Sequence, residues 1–147
     1  MKRVVVIIAG ISLALIIGLS TYLILRAGVP SGSFPLKVAG YELKEGPAKR
    51  QSAPDTFAAV YNSNNKAAIF HVVAVFPSTE AATERMKTTT TGFERSKAEF
   101  QQVGKKIVRT YYNGSTEVSW THGQWLCVVS STQKDAALEF AQSLPYQ

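Results

Sequence analysis

The sequence predicts an α+β protein: one N-terminal transmembrane helix, then a single small domain with a mostly antiparallel sheet of five or six strands and two or three helices packed on one face. Three observations carry that reading. Val4 to Leu25 is an uncharged run of 22 residues. Lys106 to Ser130 holds three β-rich runs separated by Gly-containing turns. Two further apolar runs each lead into an amphipathic helix pattern.

As a helix at about 1.5 Å per residue, the run from Val4 to Leu25 would span about 33 Å, close to the roughly 30 Å of a bilayer's hydrocarbon core. Lys2 and Arg3 ahead of it also suit a secretory signal, but signal h-regions run only about 7 to 15 residues. The run ends at Arg26 with no clean small-x-small cleavage site before it. The expectation is therefore an uncleaved anchor in the cell membrane. Lys2 and Arg3 put residues 1–3 in the cytoplasm by the positive-inside rule, and the rest of the chain outside it.

Residues 26–35 include AGVPSGSFP, a Gly, Pro and Ser stretch expected to be a flexible stalk reaching at most about 30 Å. From residue 36 to 147 there are about 110 residues, enough for one extracytoplasmic domain with a single core. LKVAGYEL reads as a strand closed by the Gly and Pro of EGPAKRQSAPDT. FAAVYN and KAAIFHVVAVF read as two more, joined at Ser63-Asn64-Asn65. The second is apolar on both sides, which suits a central strand covered on each face.

After Phe76, Pro77-Ser78 and TEAATERMK read as a helix with Ser78 as N-cap, ended by the four threonines at 88 to 91 and Gly92. FERSKAEFQQV fits a short helix or an extended crossover. Asn113-Gly114 predicts a two-residue type I′ hairpin between KIVRTYY and STEVSWT, and His122-Gly123 a second hairpin leading into QWLCVVS. That register places Trp120, Val118, Trp125, Cys127 and Val129 on one core-facing side, with Ile107 beside them. It also puts Arg109 on that side, where it would lie over an indole or snorkel to the edge, unless a bulge shifts the register. Phe70 and Phe76 complete the expected core. A last helix, QKDAALEFAQSL, starts with capping-box spacing at Thr132 and Asp135 and stops at Leu144-Pro145.

The net charge of +6 divides on inspection: without Lys2, Arg3 and Arg26 the outer domain has 13 basic residues against 10 acidic ones. No clustered basic stripe with interleaved aromatics argues for nucleic acid. The lone Cys127 permits no internal disulfide and reads as a small buried apolar residue. His71, His122 and Cys127 lack metal-ligand spacing, no nucleophile elbow or phosphate-binding Gly motif occurs, and no cofactor is expected. Asn113-Gly114-Ser115 is also a glycosylation sequon, but the turn role accounts for the same residues.

The expectation is thus a non-catalytic single-pass protein whose outer domain binds a membrane-protein partner or serves as an accessory subunit of a membrane complex. The alternative is a ligand-binding or hydrolytic domain with a cleft near His71. His71 and Arg109 are the polar site candidates.

Overall fold

Eight strands and two helices follow one another in the computed structural model, which describes residues 28–52, 54–93 and 98–147. The expected membrane-spanning helix at residues 4–25 lies outside the described residues. Among these, no helix is long and apolar enough to cross a membrane. The strands are β1 (Lys37–Val38), β2 (Tyr41–Arg50), β3 (Asp55–Ser63), β4 (Lys66–Val75), β5 (Glu99–Val103), β6 (Lys106–Thr110), β7 (Thr116–His122) and β8 (Trp125–Ser131). They form one antiparallel sheet in the order β1-β2-β3-β4-β8-β7-β6-β5. Helix α1 (Thr79–Phe93) connects β4 to β5, and α2 (Lys134–Ser143) follows β8.

The five or six strands expected from sequence are thus corrected to eight, for local reasons. LKVAGYEL folds at Ala39-Gly40, where both residues take positive φ (49° and 79°), the backbone of a type I′ turn. Gly46-Pro47 does not close β2, because register shifts on either side let the strand continue through a bulge. Gly46 sits there at φ 85°, and a Cβ on it would lie 2.6 Å from the Ala58 carbonyl oxygen, so only glycine fits. Residues 99–103 form an edge strand rather than a helix.

At Asn113-Gly114 only Gly114 has positive φ, so the turn is not type I′. Gly114 N–H donates to Tyr111 C=O and Tyr111 N–H to Ser115 C=O, both at 2.9 Å, the pattern of a three-residue loop closing on a glycine bulge. The extra residue shifts β6 by one position: Val108 pairs with Val118, Arg109 with Glu117 and Ile107 with Ser119. A one-residue shift exchanges faces. Val108 therefore takes the place expected for Ile107, which is only half-buried on the opposite side with Arg109. In the next hairpin His122 pairs with Trp125 and Trp120 with Cys127, whereas a two-residue loop at His122-Gly123 would set Trp120 against Trp125, two positions away. A shift of two preserves faces, so Trp120, Val118, Trp125, Cys127 and Val129 still share one side.

The helices do not share a face, as the sequence reading expected. α2 buries Ala136, Ala137, Phe140 and Ala141 within the Trp120 cluster. α1 lies against the same strands, β7 and β8, while its buried Ala82 is outside that cluster, which places α1 on the other side of the sheet. It starts as expected, with Ser78 Oγ accepting from Ala81 N–H at 3.2 Å. It then runs on through the threonines. Thr83 and Thr88 hydroxyls donate to the carbonyls of Thr79 and Glu84, each at 2.9 Å, so these side chains satisfy themselves on the helix instead of ending it. The start of α2 falls at Gln133, which makes no side-chain cap bond, so the spacing of Thr132 and Asp135 forms no capping box.

Candidate functional site

Three transverse rows of cross-strand partners build the Trp120 face. The first runs Lys49, Phe57, Val73, Cys127, Trp120; the second Ala59, His71, Val129, Val118; the third Tyr61, Ile69 and, on the far side of β4, Ser131 beside Thr116. His71 is thereby fixed at the centre of the sheet. Its ring is wholly buried and surrounded by Phe34 at 4.9 Å, Phe140 at 5.9 Å, Tyr146 at 6.2 Å and Tyr61 at 6.3 Å between centroids. Nε2 lies 3.2 Å from the Tyr146 hydroxyl, and Nδ1 is buried without a hydrogen-bond partner, as are the hydroxyls of Tyr41 and Tyr61.

Burial among aromatic rings disfavours the imidazolium and pushes the His71 pKa down to about 3. The same desolvation raises Tyr61 and Tyr146 well above the ordinary phenol range, and the Cys127 thiol to about 12. His71 is thus a neutral core residue. It has no route to solvent for proton exchange with a substrate.

The stretch expected to be a free stalk closes this centre. Ser33 is fully buried, held by its Oγ donating to Pro30 C=O at 2.7 Å and by its own carbonyl accepting from the Tyr146 hydroxyl. Phe34 packs on the core beside His71. Gly28 is near Phe57, a Cβ built on it falling 3.7 Å from the end of that ring, and Leu36 C=O accepts from Leu43 N–H at 2.9 Å. Residues 28–36 therefore form a strap that crosses the Trp120 face from the first row to the third. Sequence reasoning missed Ser33, Phe34, Phe140 and Tyr146. The available signal was a lone aromatic inside the Gly, Pro and Ser stretch and a tyrosine following Pro145.

The other polar candidate is on the opposite face. Arg109 is 1 % exposed, and its Nη1 donates to Glu117 Oε1 at 2.9 Å and to the Tyr111 hydroxyl at 2.8 Å. Its guanidinium carbon lies 5.4 Å from the Phe100 ring centroid and 5.6 Å from that of Tyr111. Glu117 and Tyr111 neutralise and pack the arginine across β6 and β7, so the cluster is a closed ion pair. His71 and Arg109 stand on different faces and make no common site.

Of the expected core residues, Trp120, Val118, Cys127 and Val129 are buried, whereas Trp125, Ile107, Phe70 and Phe76 are half-buried. His122 tops the β7–β8 turn, 5.5 Å from Trp125 and 5.7 Å from Tyr146 between ring centroids. Among the described residues no group of three or more His, Cys, Asp or Glu is placed to hold a metal. The domain these features define is a single antiparallel sheet with a helix on each face and its entering segment strapped into the core. No protein family, curated protein or solved structure matches the chain.

Proposed function

We propose that this is a non-catalytic, single-pass membrane-anchored protein whose extracytoplasmic domain binds a partner in the same membrane or serves as an accessory subunit of a membrane complex. The observation that carries this reading is the strap. The uncharged run ends at Leu25, and Gly28 is already beside Phe57, close enough that a Cβ on it would meet the ring at 3.7 Å. Three residues of chain extend at most about 10 Å, a third of what a free stalk would allow. A domain tethered so closely meets membrane-bound partners at high effective concentration, so weak contacts suffice. The buried, neutral His71 argues against the ligand-binding alternative, since its surroundings are filled by Phe34, Tyr61, Phe140 and Tyr146.

The test is crosslinking and co-purification of the full-length chain from its native membrane, beside a version with about 40 Gly/Ser residues inserted after Arg26, which dilutes the tethered contact. Both should resist alkaline carbonate, and only the unextended chain should retain its partner. Carbonate release of the full-length chain would refute the anchor. Equal recovery of every partner from both versions would refute the proximity argument.

A further inference from the structure

The strap also fixes which end of the sheet faces the bilayer. Gly28 is near Phe57, since a Cβ built on it would lie 3.7 Å from the end of that ring, and Phe57 belongs to the first transverse row. That row begins at Lys49 and passes through Val73, Cys127 and Trp120. It reaches Lys106, whose Nζ lies 5.3 Å from the Trp120 ring centroid and which pairs with Val103. Beyond the row project the β5–β6 turn at Gly104-Lys105 and the His122-Gly123-Gln124 turn.

This end brings lysines and an apolar side chain onto one turn. It carries Lys49, Lys105 and Lys106 against Asp55, which pairs with Lys49 at 2.8 Å, and Glu80 at the start of α1; the Arg50 guanidinium turns away from it, 5.2 Å from the Phe70 ring centroid. At the far end Lys37 pairs with Glu42 at 2.7 Å and Lys66 with Glu139 at 2.6 Å, while Lys134 donates to the Gln101 side-chain oxygen. At the near end Val103, 36 % exposed, is an apolar side chain on a turn carrying two lysines, while the more exposed Leu36 and Tyr112 lie at the far end. Val103, Gly104, Lys105, Lys106, Gln142 and Gln147 line a cleft of about 380 Å³. Cations beside an apolar tip suit a bilayer surface: lysines attract lipid phosphates while the tip enters the headgroup region.

We infer that the sheet end bearing Val103, Lys105 and Lys106 is a docking surface for anionic phospholipid headgroups of the membrane in which the chain is anchored. The inference rests on the anchoring proposed above. The tether delivers this end to the surface, and the lysines hold it flat there, so the domain presents its far end and its two faces in a fixed orientation. A partner would then meet the domain in one pose.

The test uses full-length chain reconstituted into vesicles of phosphatidylcholine alone or with about one-third phosphatidylglycerol. An environment-sensitive fluorophore is placed at Val103→Cys or, at the far-end turn, at Tyr112→Cys. Cys127 is fully buried, so the introduced thiol takes the label. The Val103 label should become shielded from aqueous iodide only in vesicles containing phosphatidylglycerol, with the Tyr112 label accessible in both. Lys105→Gln should weaken the shielded state about fivefold and Lys105→Gln/Lys106→Gln about 30-fold, at roughly 1 kcal/mol per lysine. Because Lys106 also packs on Trp120, far-ultraviolet circular dichroism of the double variant must match the parent, and Lys105→Gln alone is the fallback. If the chain floats with the vesicles but the two labels are equally accessible, the docking surface is wrong and the anchor stands. If the chain does not float with vesicles, both are wrong.

Discussion

The hydroxyl of Tyr146 donates to the main-chain carbonyl of Ser33 across 113 residues of sequence, and so joins the end of the domain to the segment through which the chain enters it. The same hydroxyl lies against His71 Nε2, and the Tyr146 carbonyl accepts from Trp120 Nε1 at 3.1 Å. One residue thus ties strap, sheet and C-terminal segment together.

Tyr146→Phe keeps the ring and removes the donor, leaving the buried Ser33 carbonyl with one partner fewer. Loss of a buried hydrogen-bond partner costs about 1 to 3 kcal/mol. Urea unfolding should show a loss in that range. Limited proteolysis should also cut between residues 28 and 36 faster than in the parent, and a strap cleaved at the parental rate would contradict the role given to this bond.

The pH dependence follows from His71. Its folded pKa, near 3, is below the ordinary histidine value of about 6.5, so in the acid range the unfolded chain binds a proton that the folded chain refuses. The stability this neutral imidazole supports is present above about pH 6.5 and drains away as pH falls from there toward 3. At roughly 1.4 kcal/mol per unit, the group should account for about 2 kcal/mol lost between pH 7 and 5. Exposed carboxylates with lowered pKa, such as Glu42, change stability in the same sense, so the measurement is a difference. Chemical denaturation of the parent and of His71→Gln at both pH values should show a steeper loss in the parent.

Arg109 and Glu117 should be separable by a double-mutant cycle. Glu117→Leu leaves a fully buried guanidinium without its anion and should cost about 2 to 4 kcal/mol, the lower half reflecting the partial exposure of Glu117. Arg109→Met with Glu117→Leu replaces the pair by apolar side chains between Phe100 and Tyr111 and should return to within about 1 kcal/mol of the parent. Additive losses in urea titrations would show that the pair is not a unit.

Ala39 occupies a left-handed conformation that costs a non-glycine residue roughly 1 to 2 kcal/mol, and it precedes Gly40 in a type I′ turn. Ala39→Asn supplies the residue that tolerates this backbone best and should stabilise the domain by about 0.5 to 1 kcal/mol. A raised thermal midpoint is the expected readout.

The two turns show what local sequence can and cannot carry. Asn113-Gly114 has the strongest type I′ signal in the chain, yet it folds as a bulged three-residue loop, while the type I′ backbone falls on Ala39-Gly40. A dipeptide sets which φ values are affordable, but the packing of both strands selects the register. Here Val108 against Val118 on the core side, with Arg109 against Glu117 on the other, leaves no charge facing Trp120. That is why the position of Arg109 could not be decided from the residues alone.

By itself the sequence determined the uncharged run, the antiparallel meander from Lys106 to Ser131, the shared face of Trp120, Val118, Cys127 and Val129, the start of α1 at Ser78 and the end of α2 before Pro145. All of these rest on period-two or period-3.6 patterning, or on the backbone demands of one or two residues. Only the tertiary structure decided that the helices take opposite faces, that residues 99–103 are an edge strand, and that a stretch composed like a linker is a strap in the core. The edge strand depends on its pairing with β6, which the composition of residues 99–103 does not mark, and the strap on partners far along the chain. Ser33 and Phe34 are held by Tyr146 and His71, and no local pattern around either pair records the other.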